Sequence, residues 1–286
     1  STGSLSYTPL PDANGTAVIT VRVQDDGSGV PPNDNEIIRT FTVNVNPVND
    51  APTLDAIPDP APILEDATEQ VISLTGIDDG DPELSQSLVV SASSDNPGLI
   101  PSVTVEYTSP DSWGLLKYAP AANANGTATI LVVVEDGGGN IYPDINVTAD
   151  TFIVSVSPVN DAPSFVMGAT IEILNATGAP EVFTNWATSI SPGPSDESGQ
   201  SVSFITSNSH PGAFSVQPAI DPSGTLTFTP AANAHGVIEV SATLQDTGGT
   251  AFGGVDVSGA EIFNVTMYVP YLWGDLNANM KAGAVD

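Results

Sequence analysis

The segment Leu116-Lys-Tyr-Ala-Pro120, followed by Ala124-Asn-Gly-Thr-Ala128, decides the fold because the chain contains it three times. The earlier copy reads Leu5-Ser-Tyr-Thr-Pro9 and Ala13-Asn-Gly-Thr-Ala17, and the later one reads Leu226-Thr-Phe-Thr-Pro230 and Ala234-His-Gly236. Glycines 15, 126 and 236 are thus equivalent, which sets a repeat of about 110 residues. We therefore expect a repeated domain rather than a single catalytic body.

Each copy continues into a segment in which apolar and polar residues alternate, then an acidic turn and a second alternating segment. In the second copy the apolar positions are Ala128, Ile130, Val132 and Val134. The second segments begin at Phe41, Phe152 and Phe263. A period of two predicts half-buried strands. Further short strand signals lie between the hairpins, so we predict an all-β fold of tandem Greek-key, immunoglobulin-like β-sandwiches.

The composition limits the classes of partner. The chain of 286 residues carries 34 acidic and 4 basic side chains, a formal net charge of −30. Nucleic acids and anionic membranes require clustered Lys and Arg, which this chain lacks. It has no cysteine and no apolar run of the length that crosses a bilayer. The acids either form a solvated shell or serve as ligands of a hard cation, and we favour cation ligands.

Two proline-bounded joints separate the copies, Pro47-Val-Asn-Asp-Ala-Pro52 and Pro158-Val-Asn-Asp-Ala-Pro163. Together with the Asn-Gly-Thr hairpins and the acidic turns, they resemble the bacterial tandem cadherin-like repeats of surface adhesins and extracellular matrix proteins. The resemblance covers nearly all of residues 1–270. It implies an extracellular or cell-surface location, and neighbouring copies of the chain or matrix components as partners.

The repeats divide the chain into four predicted parts. Residues 1–50 form the C-terminal half of a sandwich, 51–161 and 162–270 form complete domains, and 271–286 form a tail. Half a sandwich would leave Ile19, Val21, Phe41 and Val43 facing water. We therefore expect the half-domain to be completed by an upstream segment or by strands of a neighbouring molecule.

The resemblance implies Ca²⁺ at each joint, held by acids of the preceding domain, the linker and the following domain. The alternative is that each Asp-Gly or Asn-Asp pair merely shapes a turn. At the first joint the matching residues are Asp25, Asp26, Asn49, Asp50, Asp78, Asp79, Asp81 and Glu83. At the second joint they are Glu65, Asp66, Asp136, Asn160, Asp161, Asp196 and Glu197.

The C-terminal tail offers a separate candidate for Ca²⁺. Asp275, Asn277, Asn279 and Asp286 occupy positions 1, 3, 5 and 12 of an EF-hand-like loop, and Lys281 supplies a backbone carbonyl at position 7. The loop resembles the first loop of a dockerin. It departs from that pattern at Met280, where the turn usually has Gly, and it ends before the helix and second loop that would follow.

The sequence contains few side chains suited to catalysis, and we expect no enzyme activity. His210 and His235 are the only histidines, and both are expected at the surface. We interpret the chain as an extracellular structural or adhesive repeat protein, a spacer stiffened by Ca²⁺. One alternative is the subunit of a filament assembled by strand complementation. Another is a carbohydrate-binding or scaffold appendage of a secreted polysaccharide-acting enzyme, for which Trp113, Trp186 and Trp273 could form a glycan platform. Core packing is the commoner fate of tryptophan and is the alternative for these three residues.

Overall fold

The computed structural model describes residues 3–27, 35–82, 84–139 and 145–268. The chain divides into two compact units, Ser1–Val156 and Ser157–Asp286. In the described residues, β-strands predominate and the helical segments are three short 3-10 turns, Ser195–Glu197, Pro211–Ala213 and Ala251–Gly253. The predicted all-β sandwich class is confirmed. No helix among these residues is long and apolar enough to span a bilayer.

The first unit begins with a hairpin of two antiparallel strands, β1 (Gly15–Gln24) and β2 (Glu36–Val45). Its register pairs Gly15 with Val45 and Gln24 with Glu36, so the acidic turn lies at the end away from the linker. The hairpin forms a sheet of its own, and its apolar side chains are largely open to solvent. Val23 is 60% exposed and Phe41 is 42% exposed.

A complete sandwich follows the hairpin in the same unit. Its strands are β3 (Ile63–Leu64), β4 (Gln70–Thr75), β5 (Val89–Ser94), β6 (Val103–Glu106), β7 (Trp113–Tyr118), β8 (Gly126–Glu135) and β9 (Val147–Ser157). One sheet has the order β3-β9-β8-β5 and the other has the order β4-β7-β6. Their facing side chains form one apolar core that includes Leu74, Leu116 and Phe152.

The second unit repeats this plan. Its strands are β10 (Ser164–Val166), β11 (Ile171–Ile173), β12 (Glu181–Phe183), β13 (Thr188–Ser191), β14 (Ser203–Asn208), β15 (Phe214–Ile220), β16 (Leu226–Pro230), β17 (Gly236–Gln245) and β18 (Glu261–Met267). The main sheets have the orders β11-β18-β17-β14 and β12-β16-β15, and β10 pairs with β13. β11 runs parallel to β18, and β17 runs antiparallel to it.

The alternating pattern identified the core faces of both complete domains. Ile130 and Val132 of β8 are 0% exposed, as are Val240 and Leu244 of β17. Intervening residues of these strands face outward, because successive side chains of a strand point to opposite faces. The β1–β2 hairpin has the same alternation of apolar and polar residues. In the described structure, however, no second sheet covers the face that corresponds to the core face of the complete domains.

Candidate functional site

The linker asparagine Asn49 is bonded to the turn that follows β8. Its Nδ2 donates to Asp136 Oδ1 (3.1 Å) and to the carbonyl of Ile145 (2.7 Å). The backbone N–H of Ile145 donates in return to the Asn49 carbonyl (3.1 Å). Asp136 Oδ1 also accepts the N–H of Gly138 (2.8 Å), which shapes the turn. These bonds fix the linker to the domain that it enters.

Two further side chains complete what we call the Asn49 cluster, namely Asn49, Asp81, Gln86 and Asp136. Gln86 Nε2 donates to Asn49 Oδ1 and to Asp81 Oδ2, the latter at 3.1 Å. Asp81 Oδ1 accepts the N–H of Leu84 (3.0 Å). Asp79 Oδ2 accepts the N–H of Gln86 (2.7 Å) and holds that residue in place. Three members of the cluster, Asn49, Asp81 and Gln86, line a cavity of about 390 Å³.

The Asn49 cluster contains buried oxygens that lack a hydrogen-bond donor. Asp136 is 5% exposed, and its Oδ2 has no partner, nor does Gln86 Oε1. Leaving a buried charged group unsatisfied costs more than leaving a neutral one, because the lost hydration is larger. A cation bound at Asp136 Oδ2 would supply the partner that this oxygen lacks.

The second unit has an equivalent Asn160 cluster, formed by Asn160, Glu197, Gln200 and Asp246. Asn160 Nδ2 donates to Asp246 Oδ1 (3.1 Å) and to the Val255 carbonyl (2.7 Å). Gln200 Nε2 donates to Asn160 Oδ1 (2.7 Å). Buried oxygens again lack a partner, here on Glu197, Gln200 and Asp246. The same arrangement of a linker Asn, a turn Asp, a Gln and an additional acid therefore occurs twice in one chain.

Glu197 is the member of the Asn160 cluster with the clearest electrostatic cost. Burial raises the pKa of its carboxyl group, and the N–H of Asp161, which donates to Glu197 Oε1 at 2.7 Å, partly opposes that rise. The negative charges of Asp161, Asp196 and Asp246 raise the pKa further. A bound cation would favour the charged carboxylate and reverse this effect.

The donor atoms of both clusters suit Ca²⁺ better than a softer metal. They are carboxylate and amide oxygens, the ligands that Ca²⁺ takes in numbers of about six to eight. Within the described residues, no group of three or more His, Asp or Glu side chains is placed to hold a metal. Each cluster supplies two acids, so amide oxygens, backbone carbonyls or water would have to complete the coordination.

The structure brings together part of the ligand set predicted for the first joint. Asn49 and Asp81 lie in one cluster, with Asp79 beside them. Asp78 shapes the adjacent turn, where its Oδ1 accepts the N–H of Gly80 (2.9 Å). Glu83 lies outside the described residues.

The placement of Asp25 and Asp26 at the first joint is wrong. They follow β1 at the hairpin turn, whereas the linker follows Val45 at the opposite end. Ten residues of strand separate these ends by about 30 Å. Asp25 Oδ1 instead accepts the N–H of Gly27 (2.8 Å) and shapes its own turn.

The assignment of Asp136 to the second joint is wrong for the same reason. The strand that leaves this turn, β9, runs the length of the domain before it reaches Val156, so the turn lies where the domain begins. Asp136 is accordingly bonded to Asn49 of the first linker. Asp246 has the equivalent place in the second unit, where it is bonded to Asn160.

The other residues predicted for the second joint divide between the two units. Asp66 Oδ1 accepts the N–H of Asn123 (3.0 Å), and Glu65 is buried near Asn125, beside the start of β8. Since Gly126 pairs with Val156, this is the end at which the domain terminates. In the second unit, Asp161 and Glu197 are joined by their hydrogen bond, and Asp196 is exposed. Asp275, Asn277, Asn279, Lys281 and Asp286 lie outside the described residues.

Sequence reasoning missed four residues of these sites, namely Asp12, Gln86, Gln200 and Asp246. Gln86 and Gln200 bridge the linker Asn in each cluster, and only their recurrence before β5 and β14 could have indicated them. Asp12 lines a cavity of about 240 Å³ together with Asp50 of the linker. It has the same positive φ as Asn123 and Asn233, at the equivalent turn of each repeat. The repeat therefore contained a signal for Asp12.

Trp186 has the core-packing role rather than a place on a glycan platform. This side chain is 5% exposed, packs on Phe263 with ring centroids 4.3 Å apart, and donates its indole N–H to the Ala169 carbonyl (3.0 Å). It belongs to the core of the second unit. Trp113 is 55% exposed, and Trp273 lies outside the described residues.

No protein-family model and no curated protein sequence matches the chain. Among solved structures, it is similar to protocadherin gammaB7 EC3-6, a cis-dimer structure, with a TM-score of 0.51 and 17% identity over 89% of this chain and 58% of that chain. The chain thus spans less than two thirds of that structure.

Two more solved structures are similar at lower scores. Mouse cadherin-23 EC22-24 has a TM-score of 0.47 and 15% identity over 92% of this chain and 78% of that one. Protocadherin gamma B2 domains 1-5 have a TM-score of 0.48 and 16% identity over 90% of this chain and 46% of that one. The likeness to the protocadherin gammaB7 repeats, which is the strongest of the three, shows that this chain has a cadherin-like fold.

Proposed function

We propose that the chain is an extracellular structural or adhesive repeat protein, a spacer whose joints are stiffened by Ca²⁺. The observation that carries this proposal is the twofold occurrence of a cluster in which a linker asparagine donates to one oxygen of a buried turn acid while the other oxygen of that acid lacks a donor. The cadherin-like fold and the net charge of −30 support it, because such a surface attracts divalent cations.

The mechanism is a loss of linker freedom. The linker asparagine is already bonded to the turn acid, Asp136 or Asp246, of the domain that follows it. Ca²⁺ would be held by the unpartnered oxygens of the turn acid and its neighbours, and it supplies positive charge that their hydrogen bonds do not provide. Binding to the folded cluster alone stabilises it, by about 2.7 kcal/mol per site when the ion concentration is 100 times the Kd.

Thermal unfolding of the full chain, with Ca²⁺ and with chelator, tests the proposal. We expect Ca²⁺ to raise the melting temperature and to change the radius of gyration measured by small-angle X-ray scattering. In Asp136→Asn/Asp246→Asn, each new side chain keeps the oxygen that accepts from the linker, but the charge is lost. We expect this double variant to fold and to lose the response to Ca²⁺, whereas Glu261→Gln, on an exposed strand position, retains it. An equal response of all three proteins would refute the proposal.

A second candidate function is assembly through the β1–β2 hairpin. The specific observation is the exposure of both of its faces, with Val18 66% and Val21 38% exposed. Apolar strands that lack an opposing sheet can accept strands from another chain. In this candidate, strands of a neighbouring copy complete the half-sandwich and the copies form a filament.

Sedimentation velocity over a range of concentrations tests the assembly function. If the hairpin is the contact, Phe41→Asp abolishes concentration-dependent association, and Leu64→Asp, at another exposed apolar site in the same unit, does not. A wild-type chain that remains monomeric at high concentration would exclude this candidate. Nothing in the part of the chain that the structure describes favours the carbohydrate-binding alternative over these two functions.

A further inference from the structure

Both histidines of the chain line one pocket in the second unit, although they are 25 positions apart in sequence. His210 precedes the 3-10 turn Pro211–Ala213, and His235 precedes β17. The pocket has a volume of about 400 Å³, and its other walls include Pro211, Ala213 and Val237. A chain with only two histidines thus places both imidazoles at one site.

The first unit shows what these positions hold in the other repeat. The loop at Asn96 is bonded like the loop at His210. Leu99 N–H donates to the Asn96 carbonyl (3.1 Å), and Ala213 N–H donates to the His210 carbonyl (3.0 Å). The sequences Asn96-Pro-Gly and His210-Pro-Gly match, as do Asn125-Gly and His235-Gly. Two asparagines of one domain are therefore replaced by two histidines in the other.

The two equivalent positions in the first unit are also close in space. Asn96 Nδ2 donates to the carbonyl of Thr127, which lies two residues after Asn125 (3.2 Å). The paired replacement is thus located at one point of the fold. Because the asparagine version already supports the loop and the turn in the first unit, the fold itself does not require imidazole at either position.

Local hydrogen bonds engage the Nδ1 atom of each imidazole. His235 Nδ1 lies 3.2 Å from the Asn233 carbonyl, and a carbonyl only accepts, so this hydrogen bond places a proton on Nδ1 and, in the neutral ring, the lone pair on Nε2. His210 Nδ1 lies 3.3 Å from Ser209 Oγ, a hydroxyl that can accept a hydrogen bond from Nδ1–H or donate one to the bare nitrogen. Metal-binding histidines characteristically donate their other ring N–H to an oxygen.

We propose that His210 and His235 form a site for a borderline divalent ion such as Zn²⁺, Ni²⁺ or Cu²⁺, with Nε2 of each ring as a ligand. Imidazole nitrogens favour these ions, whereas Ca²⁺ takes oxygen ligands. Two imidazoles do not fill the coordination sphere, so water occupies the other positions. The site is independent of the Asn49 and Asn160 clusters, and it does not depend on the proposed function.

Isothermal titration calorimetry of the full chain with Zn²⁺, in excess Ca²⁺ to occupy oxygen sites, tests this inference. We expect one Zn²⁺ per wild-type chain. His210→Asn and His235→Asn each introduce the residue of the other repeat, and each should weaken Zn²⁺ binding by at least about 10-fold. Loss of a group that only hydrogen-bonds to a metal ligand already lowers metal affinity by about 10- to 100-fold. Their melting temperatures without metal should match that of the wild type.

Transplantation of the site provides the matched gain of function. Asn96→His/Asn125→His places the same pair in the first unit, and we expect the stoichiometry to rise to two Zn²⁺ per chain. Electron paramagnetic resonance of bound Cu²⁺ should show two nitrogen ligands in the wild type. The inference is wrong if the His210→Asn/His235→Asn double variant binds Zn²⁺ like the wild type, or if neither protein binds it.

Discussion

Asn160→Ala removes three side-chain hydrogen bonds from the second unit and so tests how firmly the linker is held. The lost partners are Asp246, the Val255 carbonyl and Gln200. At about 1 kcal/mol of net stability for each bond, the expected loss in the free energy of unfolding is about 3 kcal/mol. Because Gln200 Nε2 also loses its acceptor, we expect no compensation from that side chain.

Urea unfolding followed by tryptophan fluorescence measures this loss, since the buried Trp186 reports on the second unit. Asn175→Ala is the matched control, because Asn175 is exposed in the same unit. We expect this control to change stability by less than about 0.5 kcal/mol. The interpretation is refuted if the two substitutions have equal effects, because the linker asparagine would then contribute no more than a surface residue.

Three more changes follow from the same geometry. Gly138→Ala should destabilise the first unit by about 1–3 kcal/mol in urea unfolding, because the new Cβ would overlap the Asn49 side chain. Gly98→Ala should be nearly neutral, and equal effects of the two substitutions would contradict the close packing of Asn49 against this turn. Phe152→Ala should lower the free energy of unfolding by about 3–5 kcal/mol, because Phe152 is only 1% exposed. Phe41 has the equivalent position in the hairpin but is 42% exposed, so Phe41→Ala should change the unfolding free energy of the 51–156 domain by less than about 0.5 kcal/mol. Without Ca²⁺, burial raises the pKa of Glu197, so the folded state retains its proton longer than the unfolded state does. Stability should therefore fall as the pH rises from the ordinary carboxyl pKa through the raised pKa, and a Glu197→Gln variant with the same pH dependence would contradict this account.

The fold was predictable from the sequence because its main signal is local. Alternation of apolar residues in β8, β9, β17 and β18 identified the buried faces, and the repeat showed which strands correspond. Alternation alone does not separate β1 and β2 from the buried hairpins, and it was the comparison of the repeats that predicted the exposed half-sandwich seen in the described residues.

The candidate site was predictable only in part because it depends on which end of a strand a turn occupies. Asn49 and Asp81 were identified from their residue types and positions, and they do share a cluster. Asp136 was assigned to the wrong linker, because β9 carries the chain to the far end of the domain before the next linker begins. For Gln86 the only sequence signal is its recurrence as Gln200 before the equivalent strand, and the folded structure reveals its bonds to Asn49 and Asp81.

The central claim is that Ca²⁺ binds to the buried carboxylates beside the linker asparagines. Anomalous diffraction from crystals grown with Ca²⁺, or with a lanthanide in its place, tests it most directly. The account predicts anomalous peaks about 2.3–2.6 Å from Asp136 Oδ2 and Asp246 Oδ2 in Ca²⁺ crystals. Density for water alone at both positions, in crystals saturated with the ion, would contradict it.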